Sequence, residues 1–169
     1  LHMINMNTLK SFSFFICLLL LSRLIPHPPN FTPLLAGLVF LPFILQEKKL
    51  IFIIPISVLL ISDLIIGFHS HMLWTYGAFL FIGLIVLSFF KESITRLSIL
   101  SVTAPTLFFL ISNFGVWYGS SFYTKDFSGL IECYTLALPF YANNLISTIG
   151  FALAFYALRN FFLDTKKFA

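Results

Sequence analysis

The sequence predicts an all-α integral membrane protein: a bundle of six spanning helices with a short interfacial or re-entrant helix before the last span. Three observations predict it. Of 169 residues, 59% are hydrophobic and only 9% are charged, against roughly 25% charged in soluble domains, and the mean hydropathy is +1.00. The apolar residues fall into runs of spanning or near-spanning length with short polar connections between them. The cations gather at alternate connections, as expected of a multi-pass chain. The 23 phenylalanines suit lipid-facing and interhelical packing. No linker, repeat or long charged tail interrupts the chain, so residues 1–169 read as one domain.

The apolar run after Lys10 resembles a signal peptide, but no small-x-small cleavage site precedes Arg23. It is expected to stay as the first span, about 11–25. The second span, about 33–45, is short. Thr32-Pro33 before it reads as a helix start, with Thr at the N-cap and Pro at the first helical position. The third span covers about 50–66 and the fourth about 72–90. The fifth covers about 97–117 with Pro105 inside it, and the sixth about 144–163. Residues 119–129 form a polar loop. The piece at 130–140 is too short to span and is expected to lie in the interface or re-enter.

With the N-terminus in the cytoplasm, Lys10, Lys48, Lys49, Lys91, Arg96, Arg159, Lys166 and Lys167 all fall on or near that side. Only Arg23 and Lys125 fall outside. This bias supports an even number of spans with both termini cytoplasmic, in a bacterial inner membrane. The unusual polar residues then collect on the outer side, so that face is expected to hold a convergent polar site.

The densest motif there is Arg23-Leu-Ile-Pro-His27-Pro-Pro-Asn30-Phe-Thr32-Pro33, with four prolines in eleven residues. Proline fixes its own φ and restricts the residue before it, so a stiff, shaped loop is expected. Arg23 and Asp63 are the outer-side charges nearest the membrane interior. A charge there is costly unless paired or functional. They are expected either to pair, bracing the first helix against the third, or to touch a ligand. Gly67 is placed to end the third helix, which leaves His69 and His71 in a short outer turn. His27, His69 and His71 are weak metal candidates, because a two-residue spacing suits no helical site and no Cys or Glu adjoins them. Asn113 and Trp117 close the fifth helix, the first as a hydrogen-bonding group and the second as belt residue or aromatic wall. Glu132, Cys133 and Tyr134 sit on the short piece that could cover a pocket. The expected substrate-binding set is Arg23, His27, Asn30, Thr32, Asp63, His69, Asn113 and Trp117.

Several classes drop out. The +4 charge is scattered over segment ends, so no nucleic-acid surface is expected. Cys17 and Cys133 lie in distant segments, which gives neither a disulfide nor a metal spacing. No phosphate-binding glycine loop, His-Glu-x-x-His or Gly-x-Ser-x-Gly occurs. The chain therefore reads as a non-enzyme without cofactor that cannot drive transport by ATP hydrolysis itself.

The proline motif, Ser62-Asp63 with Gly67-Phe68-His69, and Asn113-Phe-Gly-Val-Trp117 together resemble a family of small bacterial inner-membrane proteins of unknown function. That family is similar to the substrate-binding S components of energy-coupling factor (ECF) transporters in size, span count, orientation and outer-side pocket. The resemblance implies a six-helix fold and an outward-facing pocket for a small organic micronutrient. It also implies a membrane coupling subunit and two ATPases as partners. S components often dock that subunit through an Ala-x-x-x-Ala pair in the first helix, where this chain has Ser13 and Cys17. Nickel and cobalt members begin Met-His, which Leu1-His2-Met3 does not match. The alternatives are a structural or assembly subunit of a larger membrane complex, and a metal-binding membrane protein.

Overall fold

The computed structural model describes residues 6–45 and 47–165, with side chains described for 13–45 and 47–161. Among them the chain is all-α and without strands: α1 (Met6–Leu24), α2 (Leu34–Phe40) with a 3₁₀ turn at Leu41–Phe43, α3 (Lys48–Ile66), α4 (Met72–Phe89), α5 (Ile94–Gly119), α6 (Phe127–Leu136) and α7 (Leu138–Thr165). Four helices are long and apolar enough to cross a membrane: α3, α4, α5 and the Leu138–Phe161 part of α7. This marks the chain as a membrane protein of the all-α class.

The segment read as a short second span is a seven-residue α-helix extended by the 3₁₀ turn. Its rise is roughly 16 Å, about half of a hydrocarbon core. Pro42 causes the switch, because it lacks an N–H and its ring crowds the carbonyl four residues back. Every residue of α2 is buried, and α2 touches α3, α4, α5 and α7. It forms the axis around which the longer helices assemble. Phe15 of α1, Phe40 of α2 and Phe155 of α7 meet there with ring centroids 5.0 Å (Phe15–Phe155) and 5.6 Å (Phe40–Phe155) apart. Lipid tails are as apolar as these rings, so close packing rather than water exclusion holds such contacts together. Each aromatic pair adds about 0.5–1.5 kcal/mol. Phe14, Leu73, Phe81 and Leu84 instead point outward, as lipid-facing residues do.

Several helix boundaries differ from those the sequence predicts, α1 beginning at Met6 and α7 at Leu138 among them. Pro33, not Thr32, is the N-cap residue of α2, and no side chain caps it. α6 begins at Phe127 rather than near residue 130, because the Asp126 carboxylate accepts a hydrogen bond from the Gly129 amide at 2.9 Å. α6 then stops at Leu136, and Leu138–Phe140, expected to belong to the short piece, opens α7. Pro139 explains this break, since it fits the first turn of a helix but cannot continue the preceding one.

Gly67 ends α3 with φ +110° and ψ 147°, and its amide donates to the Asp63 carbonyl at 2.9 Å. Only glycine adopts that conformation readily. The 25–33, 67–71 and 120–126 connections share one end of the bundle. Lys48, Lys49, Lys91 and Arg96 flank the connections at the other end. Arg159 of α7 also lies there and donates to Glu92 at 2.5 Å. The Lys10 side chain and residues Lys166 and Lys167, counted for orientation, lie outside what is described, as do Leu1, His2 and Met3.

Candidate functional site

The proline loop folds as its residues dictate. The Phe31 amide donates to the Pro28 carbonyl at 3.0 Å, which closes a four-residue turn. Pro29 supplies the fixed φ of the second position. Asn30 takes the third with φ 62°. This is the type II pattern, and Asn is one of the few non-glycine residues that tolerate it. His27 Nδ1 lies 2.8 Å from the Pro28 carbonyl. A carbonyl only accepts, so this is a hydrogen bond when that nitrogen carries the proton. From α7, the Asn143 side-chain amide donates to the Pro29 carbonyl at 3.1 Å and clamps the loop from the far side.

Beneath the loop, three helices meet in one polar network. Arg23 at the end of α1 donates from Nη2 to Asp63 Oδ1 of α3 at 2.8 Å. The Tyr76 hydroxyl of α4 donates to Asp63 Oδ2 at 2.9 Å. Asp63 is 1% exposed, with a partner for each oxygen. Arg23 also has a buried Nη1 with no hydrogen-bond partner among the described residues. The ion pair therefore braces α1 against α3, and one of its guanidinium nitrogens still lacks an acceptor.

Arg23 forms part of the wall of a cavity of about 340 Å³ at the proline-loop end. Of the predicted site residues, His27, Asn30, Thr32 and His69 line it too. Without a capping bond to make, Thr32 is a wall residue of this cavity. A second cavity of about 320 Å³ adjoins it under α6 and shares Asn30, His69, Thr75 and Phe108. Asn113 and His71 line this second chamber. Asp63 stands behind Arg23 and lines neither cavity. Trp117 also lines neither. Its indole donates to the Thr124 carbonyl at 2.9 Å, and Lys125 lies 5.6 Å over its ring. Lys125 also donates to the Trp117 and Ser120 carbonyls, so Trp117 holds the 120–126 segment in place. Glu132 is exposed, while Cys133 Sγ contacts the Asn113 carbonyl at 3.5 Å. Burial pushes the Cys133 thiol up, which makes it a wall group rather than a nucleophile.

Sequence reasoning missed Tyr76, Thr75 and Phe108. A tyrosine inside an apolar run needs a partner for its hydroxyl, and that signal could have found Tyr76. Nothing in the sequence singled out Phe108. Among the described residues, no three His, Cys, Asp or Glu side chains cluster closely enough to hold a metal ion.

Residues 4–168 match the family model described as a family of unknown function, DUF6580. The chain belongs to that family. No curated protein and no solved structure matches it. For this DUF6580 member, the functional reading therefore rests on the geometry at the proline-loop end.

Proposed function

We propose that this DUF6580 protein is a membrane-embedded substrate-binding subunit, similar to an ECF S component, for uptake of a small organic micronutrient. In this reading α1 and the α2 segment complete a bundle of six, with α6 as the interfacial piece. The proline-loop end faces outward, and both termini lie on the cytoplasmic side of the inner membrane. The split of cations between the two ends supports that orientation. Energy comes from a coupling subunit and ATPases, since the chain has no nucleotide-binding motif.

The observation that carries the reading is the cavity itself. At about 340 Å³ it falls in the size range of small-molecule sites, and polar side chains from several elements converge on it beside apolar ones. Arg23 brings to it a partly exposed cationic side chain. Arg23, His27, Asn30, Thr32 and His69 are assigned to ligand contact, and Asn113 to the adjoining chamber. Asp63 and Trp117 hold those groups in place. The test is a thermal-shift screen of the purified chain in nanodiscs against vitamin-like compounds, with mass spectrometry of whatever copurifies. Binding of at least one compound is expected, and its competition by the others follows. No shift by any compound at millimolar concentration, with nothing copurifying, refutes the reading.

A second reading has an observation of its own. Arg23–Asp63 and Asn143–Pro29 are braces, and braces alone suit a structural or assembly subunit of a larger complex. That reading predicts copurification with a non-transport complex, and loss of the protein rather than of uptake when Asp63 is replaced.

A further inference from the structure

We infer that the ligand of this site is a compact organic acid, with its carboxylate at Arg23 and its apolar body reaching toward the chamber under α6. The inference rests on the binding reading above and names the chemical class it takes. Its first support is the charge of the walls. Among the described residues no Asp or Glu lines either chamber, while the cation Arg23 lines the first. The one carboxylate nearby, Asp63, has both oxygens occupied and is shut away behind Arg23. A cationic ligand would find neutral acceptors but no counter-charge among the described lining residues, and would face a guanidinium.

The second support is the guanidinium itself. Its fork presents donors in pairs, and Asp63 engages only Nη2. Nη1 is buried and does not face the chamber, so a ligand meets the side chain through the 18% of its surface that stays exposed. A carboxylate is the group whose geometry best matches that fork. The Thr32 hydroxyl and the Asn144 amide stand in the same wall as additional donors.

The third support is shape. Leu34, Leu35, Leu59 and Phe79 give the first chamber an apolar side. Past Phe108, Val116, Leu136 and Phe140 give the second an apolar side beside Ser112, Asn113 and Tyr123. An acid with one or two rings spans the waist between the chambers.

The test uses the full chain in nanodiscs with matched acid, amide and amine compounds built on phenyl, naphthyl and indolyl bodies, plus palmitate. Binding is read by tryptophan fluorescence and native mass spectrometry. At least one aryl acid binds, its amide binds at least tenfold more weakly, and its amine does not compete. An amide or amine that binds as tightly as its acid overturns the acid assignment and leaves the binding reading standing. Palmitate binding more tightly than every aryl acid assigns the ligand to the bilayer and overturns the compact class. Silence from the whole set overturns the acid assignment together with the binding reading.

Two variants localise the effect. Arg23→Gln with Asp63→Asn removes both charges while keeping the brace polar, and lowers acid affinity more than tenfold. Thr32→Val with His69→Leu leaves the ion pair untouched, and lowers acid affinity at least fivefold with unchanged thermal stability. Wild-type acid affinity in both variants overturns the assignment.

Discussion

Asp63→Ala should destabilise the bundle more than any other single polar substitution near the site. The carboxylate is 1% exposed and takes hydrogen bonds from Arg23 at 2.8 Å and Tyr76 at 2.9 Å. Its removal leaves a guanidinium without a counter-charge and a tyrosine hydroxyl without an acceptor. Breaking a buried pair by deleting one partner costs about 3–5 kcal/mol. The Arg23 side chain keeps 18% of its surface exposed at the cavity, so water softens the loss and about 2–3 kcal/mol is expected. Replacing both partners with apolar residues removes the unpaired charge, and the loss should fall to about 1 kcal/mol or less. Tyr76→Phe removes one hydrogen bond to a charged group and should cost about 1.5 kcal/mol. The assay is equilibrium unfolding in mixed micelles by denaturing-detergent titration, for Asp63→Ala, Arg23→Leu, the Arg23→Leu/Asp63→Leu pair and Tyr76→Phe. If Asp63→Ala lies within about 0.5 kcal/mol of wild type, or the double variant is no more stable than Asp63→Ala, the pair does not brace the helices and the reasoning fails.

Further predictions follow from local geometry. Asn30 holds φ 62°, so Asn30→Ala should cost about 1 kcal/mol while Asn30→Gly stays close to wild type; the same titration measures both. A Cβ on Gly115 would lie 2.1 Å from Trp74 Cγ and 2.6 Å from its Cβ. Gly115→Ala must therefore push α4 and α5 apart, at about 1–3 kcal/mol, visible as a lowered melting temperature and a shifted tryptophan emission. The Gly129 amide and then the Thr124 hydroxyl hold the Asp126 carboxyl below its ordinary value of 3.8. Its contribution is complete above that value and is lost as pH falls through the lowered one. Hydrogen-exchange protection of the Gly129 amide, corrected for intrinsic rate, should stay flat from neutral to about pH 4 and fall below it. Asp126→Ala should abolish that dependence.

The two cavities also bear on how a ligand would enter. α6 is joined to α7 through Ala137, whose amide is shared between the Cys133 and Tyr134 carbonyls at 3.2 Å each. It is tied to α5 by the Tyr134 hydroxyl on the Leu110 carbonyl at 2.5 Å, by the Cys133 contact and by the Tyr134 ring, 5.3 Å from that of Phe109. The proline loop, by contrast, is closed by its own turn and clamped by Asn143. The first chamber is thus bounded by a stiff wall on one side, and the second by a short helix held to α5 through Cys133 and Tyr134 on the other.

Much of this molecule was legible before any coordinates. Composition alone determined the membrane class, because no soluble core of this length can hide so many apolar side chains. Apolar run length determined α3, α4 and α5 to within a few residues, since a span needs a fixed rise per residue. Gly67 marked the end of α3, because only a residue without Cβ readily adopts its backbone angles. The pairing of Arg23 with Asp63 was one of two outcomes the sequence allowed, as a charge at that depth must find a partner or a use. Tertiary structure alone decided the rest. Hydropathy marks α2 as a weak span, whereas its complete burial among four other helices makes it the centre of the bundle. Asp126 and Pro139 moved both ends of α6 through hydrogen bonding and ring sterics that an apolar count does not register. Trp117 went to the 120–126 segment rather than to the cavity, because its indole found the Thr124 carbonyl. Tyr76, Thr75 and Phe108 came to the site through the crossing of α4 and α5 beneath the proline loop, and helix crossing is set by side-chain packing across the whole bundle rather than by any local run of residues.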